Sequence, residues 1–207
     1  MKSRAAFVLL VMITFSATSV LAQAVAPERS ANAAAVSDVQ FIARGIEYNK
    51  DLMFLSRKAI DRGTDAKIKE LAPQMLEDHS AMLYSMQQLQ TAGAGSASQS
   101  GSTEDKYRKE AAEISAKLSN VSGANFDSVW VANMLVVQQA KYDELTQAKE
   151  TVTNPQLKMA ITEAIPMMRK QVTQLKSLQK YLARVALQLR KEAAQQEKLR
   201  KAEQRER

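Results

Sequence analysis

The sequence predicts an all-α protein built as a four-helix bundle, and three observations predict it. Glycine and proline are scarce, six and four in 207 residues, while the helix formers Ala, Gln, Leu, Lys and Met abound. Apolar residues recur at alternating spacings of three and four in four segments. The connections between those segments run short, long, short.

Residues 1–22 read as an address. Lys2 and Arg4 precede a mostly apolar stretch, and Val20-Leu21-Ala22 supplies the small residues read by a signal peptidase. Thr14, Ser16, Thr18 and Ser19 break the apolar run, so a secretory signal peptide is favoured over an anchor of about 20 residues. Removing Lys2 and Arg4 leaves a charge of 27 minus 22, or +5. No second stretch approaches spanning length, so the mature chain is expected not to be integral to a membrane. Residues 23–36, Ala-rich with Pro27, are expected to form a flexible leader ahead of a bundle domain over 37–182.

Ser37 with Gln40 is a capping-box pattern opening the first helix, which shows Val39, Ile42, Ile46, Met53 and Ile60 on one face. Asn49 and Ser56 interrupt that face, and Arg62-Gly63 ends it. Thr64-Asp65 starts the second helix, whose seam is Ile68, Ala72, Met75, His79, Met82, Met86 and Leu89, with Pro73 inside. Residues 92–103 are turn formers and small polar residues, a flexible connection followed by a short helix over 104–119. Phe126-Asp127 opens the third long helix, with Asp127 expected as its N-cap. Asn154-Pro155 opens the fourth, with Ile161, Ile165, Met168, Val172, Leu175 and Leu182 along one stripe.

Connection lengths carry the topology. Short links make each helix pair an antiparallel hairpin, and the roughly 35 residues between them suffice to cross a bundle end to end. Two hairpins joined by one long crossover with a short extra helix is the ferritin-like arrangement. The last helix continues as a charged extension over 183–207, beyond the bundle. From residue 181 onward there are eight Lys/Arg against four Asp/Glu. This basic C-terminal helix is the expected contact with an envelope protein or an anionic envelope surface.

Four stretches carry a family resemblance: FIARGI in the first helix, IKELAPQMLEDHSAM in the second, FDSVWVANM in the third and NPQLKMAITEAIPMMRKQ in the fourth. In this order, over about residues 38–182, they resemble the bacterial domain-of-unknown-function family 4142, exported proteins grouped with ferritin-like folds. The resemblance implies a periplasmic location. It also implies an acidic residue in the middle of the first helix and a histidine in each of the other three. Those positions fall here on Leu52 (beside Asp51), His79, Gln138 and Gln171. If the family site binds metal, this chain keeps a degenerate version of it.

Chemistry is bounded by the inventory. There is no cysteine and one histidine, His79, with Leu76 three residues before it, so a di-iron Glu-x-x-His pair cannot be built. Glu77, Asp78 and His79 are adjacent on a helix and point apart, which disfavours a catalytic zinc site. No Gly-x-Ser-x-Gly elbow or glycine-rich phosphate loop is present, and no nucleic-acid-binding module accompanies the basic charge. The expectation is a non-enzymatic protein without a cofactor and without a nucleic-acid partner. The favoured reading of His79, Gln138 and Gln171 is a polar layer in an apolar bundle, mutually hydrogen-bonded. The alternative is a Cu(I) site on one face of the second helix, from Met75, His79, Met82 and Met86, because thioethers and imidazole suit that soft ion.

Overall fold

The computed structural model describes residues 26–94 and 102–206. The signal segment 1–22, the start of the leader and much of the connection 92–103 lie outside the described residues. Among the described residues there are five α-helices: α1 (Ala26–Arg62), α2 (Ala66–Leu89), α3 (Ser102–Ser119), α4 (Gly123–Thr151) and α5 (Pro155–Arg205). A π-helical turn, Gln90–Ala94, prolongs α2. The described residues contain no strand. No helix among them is long and apolar enough to cross a membrane.

Helix α1 begins at Ala26, so the stretch expected as a leader carries helical backbone from residue 26. Two local reasons agree: Pro27 falls in the first turn, where its missing N–H costs nothing, and alanine is the strongest helix former. Helices α2 and α5 begin where capping chemistry places them. Asp65 accepts from the Lys67 amide at 2.8 Å, and Asn154 accepts from the Gln156 and Leu157 amides at 2.9 Å. Gly63 in the α1–α2 turn has a steric reason. A Cβ there would lie 2.5 Å from the Ala59 carbonyl oxygen and 2.8 Å from Ile68.

Side-chain contacts fix the helix directions. Tyr48 reaches Gln138 and Leu55 reaches Trp130, so α1 and α4 run antiparallel. Asp78 meets Gln171 and Lys67 sits over Tyr181, so α2 and α5 do too. Helix α3 lies along α1, with Arg108 at Glu47 and Leu118 at Arg62, hence parallel to it. It returns the chain from the far end of α2 to the start of α4. Its inner face, Ala111, Ile114 and Leu118, is buried.

The two hairpins repeat each other with an offset of 89 residues (127 minus 38). The buried Asp127 of α4 accepts from the Thr64 amide at 3.0 Å, the Thr64 hydroxyl at 2.5 Å and the Asp65 amide at 2.8 Å. The buried Asp38 of α1 accepts from the Thr153 amide at 3.0 Å, the Thr153 hydroxyl at 2.8 Å and the Asn154 amide at 2.8 Å. Each hairpin thus holds the turn of the other by the same three bonds. Between the clasps Phe41 matches Trp130, Ile42 matches Val131 and Ile68 matches Leu157, all buried. This corrects the expected role of Asp127. Ser122 occupies the N-cap position of α4, after which Gly123 takes φ +55°, and Asp127 instead holds the start of α2. A local cap and a tertiary clasp look alike in sequence, since both are an aspartate near a helix start.

The core runs through both hairpins. Trp130, Phe126, Met134, Met168 and Leu175 are fully buried, and the Trp130 indole donates to the Leu55 carbonyl at 3.0 Å. Burial ends at Leu182, and α5 continues alone from there.

Candidate functional site

The chemistry-bearing residues meet halfway along the bundle. His79 of α2, Gln138 of α4 and Gln171 of α5 are each at most 1% exposed. The Gln138 amide nitrogen lies 2.7 Å from His79 Nε2 and 2.6 Å from Gln171 Oε1. Helix α1 supplies two further members. Tyr48 donates its hydroxyl proton to Gln138 Oε1 at 3.0 Å, and Asn49 Oδ1 lies 2.8 Å from His79 Nδ1. The Tyr48 and His79 rings meet edge to face, with centroids 5.9 Å apart.

Donor counting fixes the proton positions. The Asn49 amide nitrogen donates to the Gly45 carbonyl at 2.7 Å, so its oxygen faces the imidazole and His79 Nδ1 carries the proton. Nε2 then holds a lone pair, which accepts from Gln138. The second Gln138 proton goes to Gln171, whose own amide donates to Asp78 Oδ2 at 2.7 Å and to the Met167 sulfur at 3.2 Å. A hydrogen-bonded chain therefore runs from the Gly45 carbonyl to the half-buried Asp78, with both imidazole nitrogens engaged.

Burial pushes the His79 pKa down to about 3, with the neighbouring Gln171 amide working the other way. An unfolded chain takes up a proton near pH 6.5, which the folded protein refuses until about pH 3. His79 therefore costs stability as pH falls through that window, about 1.4 kcal/mol per pH unit. Glutamine can replace the imidazole, donating to Asn49 and accepting from Gln138. His79→Gln is expected to leave the fold intact at neutral pH and to gain on the parent by about 2–3 kcal/mol by pH 4.5. Urea titrations at several pH values check this, and parallel stability curves would rule it out. The comparison must be made between variants because Asp51 acts in the opposite sense. Burial first, and the Glu47 charge second, raise the Asp51 pKa to about 6, so its cost falls as pH drops.

The positions flagged by sequence are distributed as follows. His79, Gln138 and Gln171 share one layer. Leu52, where the resemblance implies an acid, is buried apolar core, and Asn49 one turn earlier is what reaches His79. Asp51 has a buried carboxylate oxygen without a hydrogen-bond partner among the described residues. It lines an open groove with Phe54 and Arg108. Met75 is packed in the hydrophobic core. Met82 and Met86 line a small cavity of about 10 Å³ with Met168, Phe41, Tyr48, Asn49 and Lys141, and neither His79 nor Met75 lines it. Lys141 is 5% exposed, bonds to Glu144 at 3.0 Å and lies 5.0 Å from the Phe41 and Tyr48 ring centres. Burial pushes its pKa below the ordinary lysine value, against the Glu144 charge.

Sequence reasoning missed Tyr48, Asn49 and Asp78 as members of the layer. Asn49 left a signal, since it interrupts the apolar face of α1. Tyr48 left none, because a tyrosine on a helix gives no sign of which neighbour its hydroxyl meets. Asp78 was expected to point away from His79, and it joins the layer indirectly, through Gln171.

Among the described residues, no group of three or more His, Cys, Asp or Glu is arranged to hold a metal ion. Comparison with known proteins finds no match among curated proteins and none among solved structures. Residues 23–178 match the family described as a domain of unknown function, DUF4142. The match spans most of the chain and both hairpins with their shared polar layer, and the protein belongs to the DUF4142 family.

Proposed function

We propose that this protein is an exported, non-enzymatic helical bundle of ferritin-like topology, periplasmic after loss of residues 1–22, with a structural or interaction role in the cell envelope. The observation that carries this reading is the satisfied polar layer. Where a ferritin-like bundle presents ligands to metals, Gln138 and His79 spend their donors and acceptors on protein partners. Binding a metal at His79 Nε2 would have to displace the Gln138 amide and leave a buried donor unmade, a cost of about 1–3 kcal/mol. The topology is supported by the helix directions and by α3 as the long crossover. Export is supported by the basic, apolar and small-residue order of the first 22 residues.

The rival reading is a periplasmic Cu(I) binder. It draws support from Met82, Met86 and Met168 around one cavity. It is opposed by the Lys141 side chain in the same lining, whose charged form repels a cation. The test combines cell fractionation, N-terminal sequencing and a Cu(I) competition titration of the purified protein. Recovery in the periplasm with an N-terminus at Gln23 and no stoichiometric copper supports the proposal. Tight one-to-one copper would replace it with the rival, and a cytosolic protein retaining Met1 would overturn the location.

A further inference from the structure

Every residue of α5 from 186 to 205 is exposed, and the charges on this arm are sorted by side. At about 100° per residue, Lys180, Arg184, Lys191, Lys198, Lys201 and Arg205 fall within an arc of about 100°. Leu187 and Ala194 fill the gaps between them at the same three- and four-residue spacing, and no acidic residue enters the arc. Glu192 and Glu203 lie on the other side, Glu197 and Glu206 sit just beyond the two edges of the arc, and Glu197 is held by Arg200 at 3.0 Å and Lys201 at 3.1 Å. The stripe runs about 38 Å from Lys180 to Arg205.

We infer that this stripe is a docking surface for a membrane of anionic phospholipid, with Lys180, Arg184, Lys191, Lys198, Lys201 and Arg205 facing the headgroups. Charge complementarity selects an anionic occupant. Leu187 selects a bilayer over a purely ionic polymer. It is 53% exposed in the middle of the cations, where an aqueous polyanion gains nothing from it and a headgroup–acyl boundary accepts it. A second copy of the arm fits less well. The apolar seam Leu182, Val185, Leu189 gives way to Gln196 and Arg200 after two turns, too short for a coiled coil. Each cation near an anionic surface adds to binding, and the attraction decays over a Debye length of about 8 Å at physiological salt.

The inference rests on the proposed envelope location, and its test separates the two. The chain from Gln23 onward is co-sedimented with phosphatidylglycerol-containing vesicles and with phosphatidylcholine vesicles, at low and high salt. Two double variants carry the same change in net charge: Lys191→Gln/Lys198→Gln on the stripe, and Gln196→Glu/Gln204→Glu off it. Far-UV circular dichroism and sedimentation equilibrium are run on each. The expected result is salt-sensitive binding to the anionic vesicles only, reduced about tenfold or more by the stripe variant and less than about threefold by the other. Leu187→Gln is expected to lower binding most clearly at high salt, where the ionic part is screened. Equal losses in the two double variants, absence of vesicle binding, or dimerisation through the arm would each overturn the membrane surface. If vesicle binding fails while the protein still fractionates to the periplasm, the location stands and only this inference falls.

Discussion

Gln138→Leu is expected to lower the stability of the protein by about 4 kcal/mol, although leucine is apolar and of similar size. Gln138 is the hub of the buried layer, receiving the Tyr48 hydroxyl and donating to His79 Nε2 and Gln171 Oε1. Removing it takes one hydrogen bond from the Tyr48 hydroxyl and leaves an imidazole nitrogen and an amide oxygen to find new partners in a region closed to solvent. Each such group costs about 1–3 kcal/mol, and partial relaxation keeps the total below their sum. Replacing Tyr48 by phenylalanine removes one peripheral member only and should cost about 1 kcal/mol. Equilibrium urea unfolding of both variants, with unchanged slope, gives the comparison. A loss below about 1 kcal/mol for Gln138→Leu would show that the layer readily finds other partners, contrary to the closed network described above.

Asp127→Ala is expected to cost about 3 kcal/mol, more than an ordinary helix cap. The carboxylate collects two backbone amides and one hydroxyl from the α1–α2 turn, and it is 1% exposed. Charge-assisted bonds of this kind are worth about 1.5–3 kcal/mol, and the stranded amides add to the loss. Asp127→Asn keeps one acceptor oxygen and should recover part of the stability. Asp38→Ala should match Asp127→Ala to within about 1 kcal/mol, because the two clasps make the same three bonds. Thermal melts of the three variants test the pairing. If Asp38→Ala is silent while Asp127→Ala is severe, the second hairpin does not depend on its clasp.

The fold class and the positions of the helices were largely legible in the sequence. Asp65 and Asn154 announced two helix starts by local capping chemistry, and the spacing of Ile68, Ala72, Met75 and His79 announced an inward face. These features lie within a few residues of one another, which is why local pattern is enough to see them. The start of α1 was not legible at Ser37, because an alanine-rich stretch with Pro27 is compatible both with a leader and with a first helical turn.

Composition and local spacing are enough to specify an all-α chain of long amphipathic helices, a single histidine in a seam position and a basic final helix. Which polar residues belong together is set by how the helices pack against one another. Tyr48, Asn49, His79, Gln138 and Gln171 come from four helices, and their protons can be assigned only when every neighbour's donors are counted. That packing also revealed that Asp127, expected as a local cap, and Asp38 are reciprocal clasps. The reason is the same in both cases: a buried polar group must find its partner somewhere, and folding, not proximity along the chain, supplies the partner.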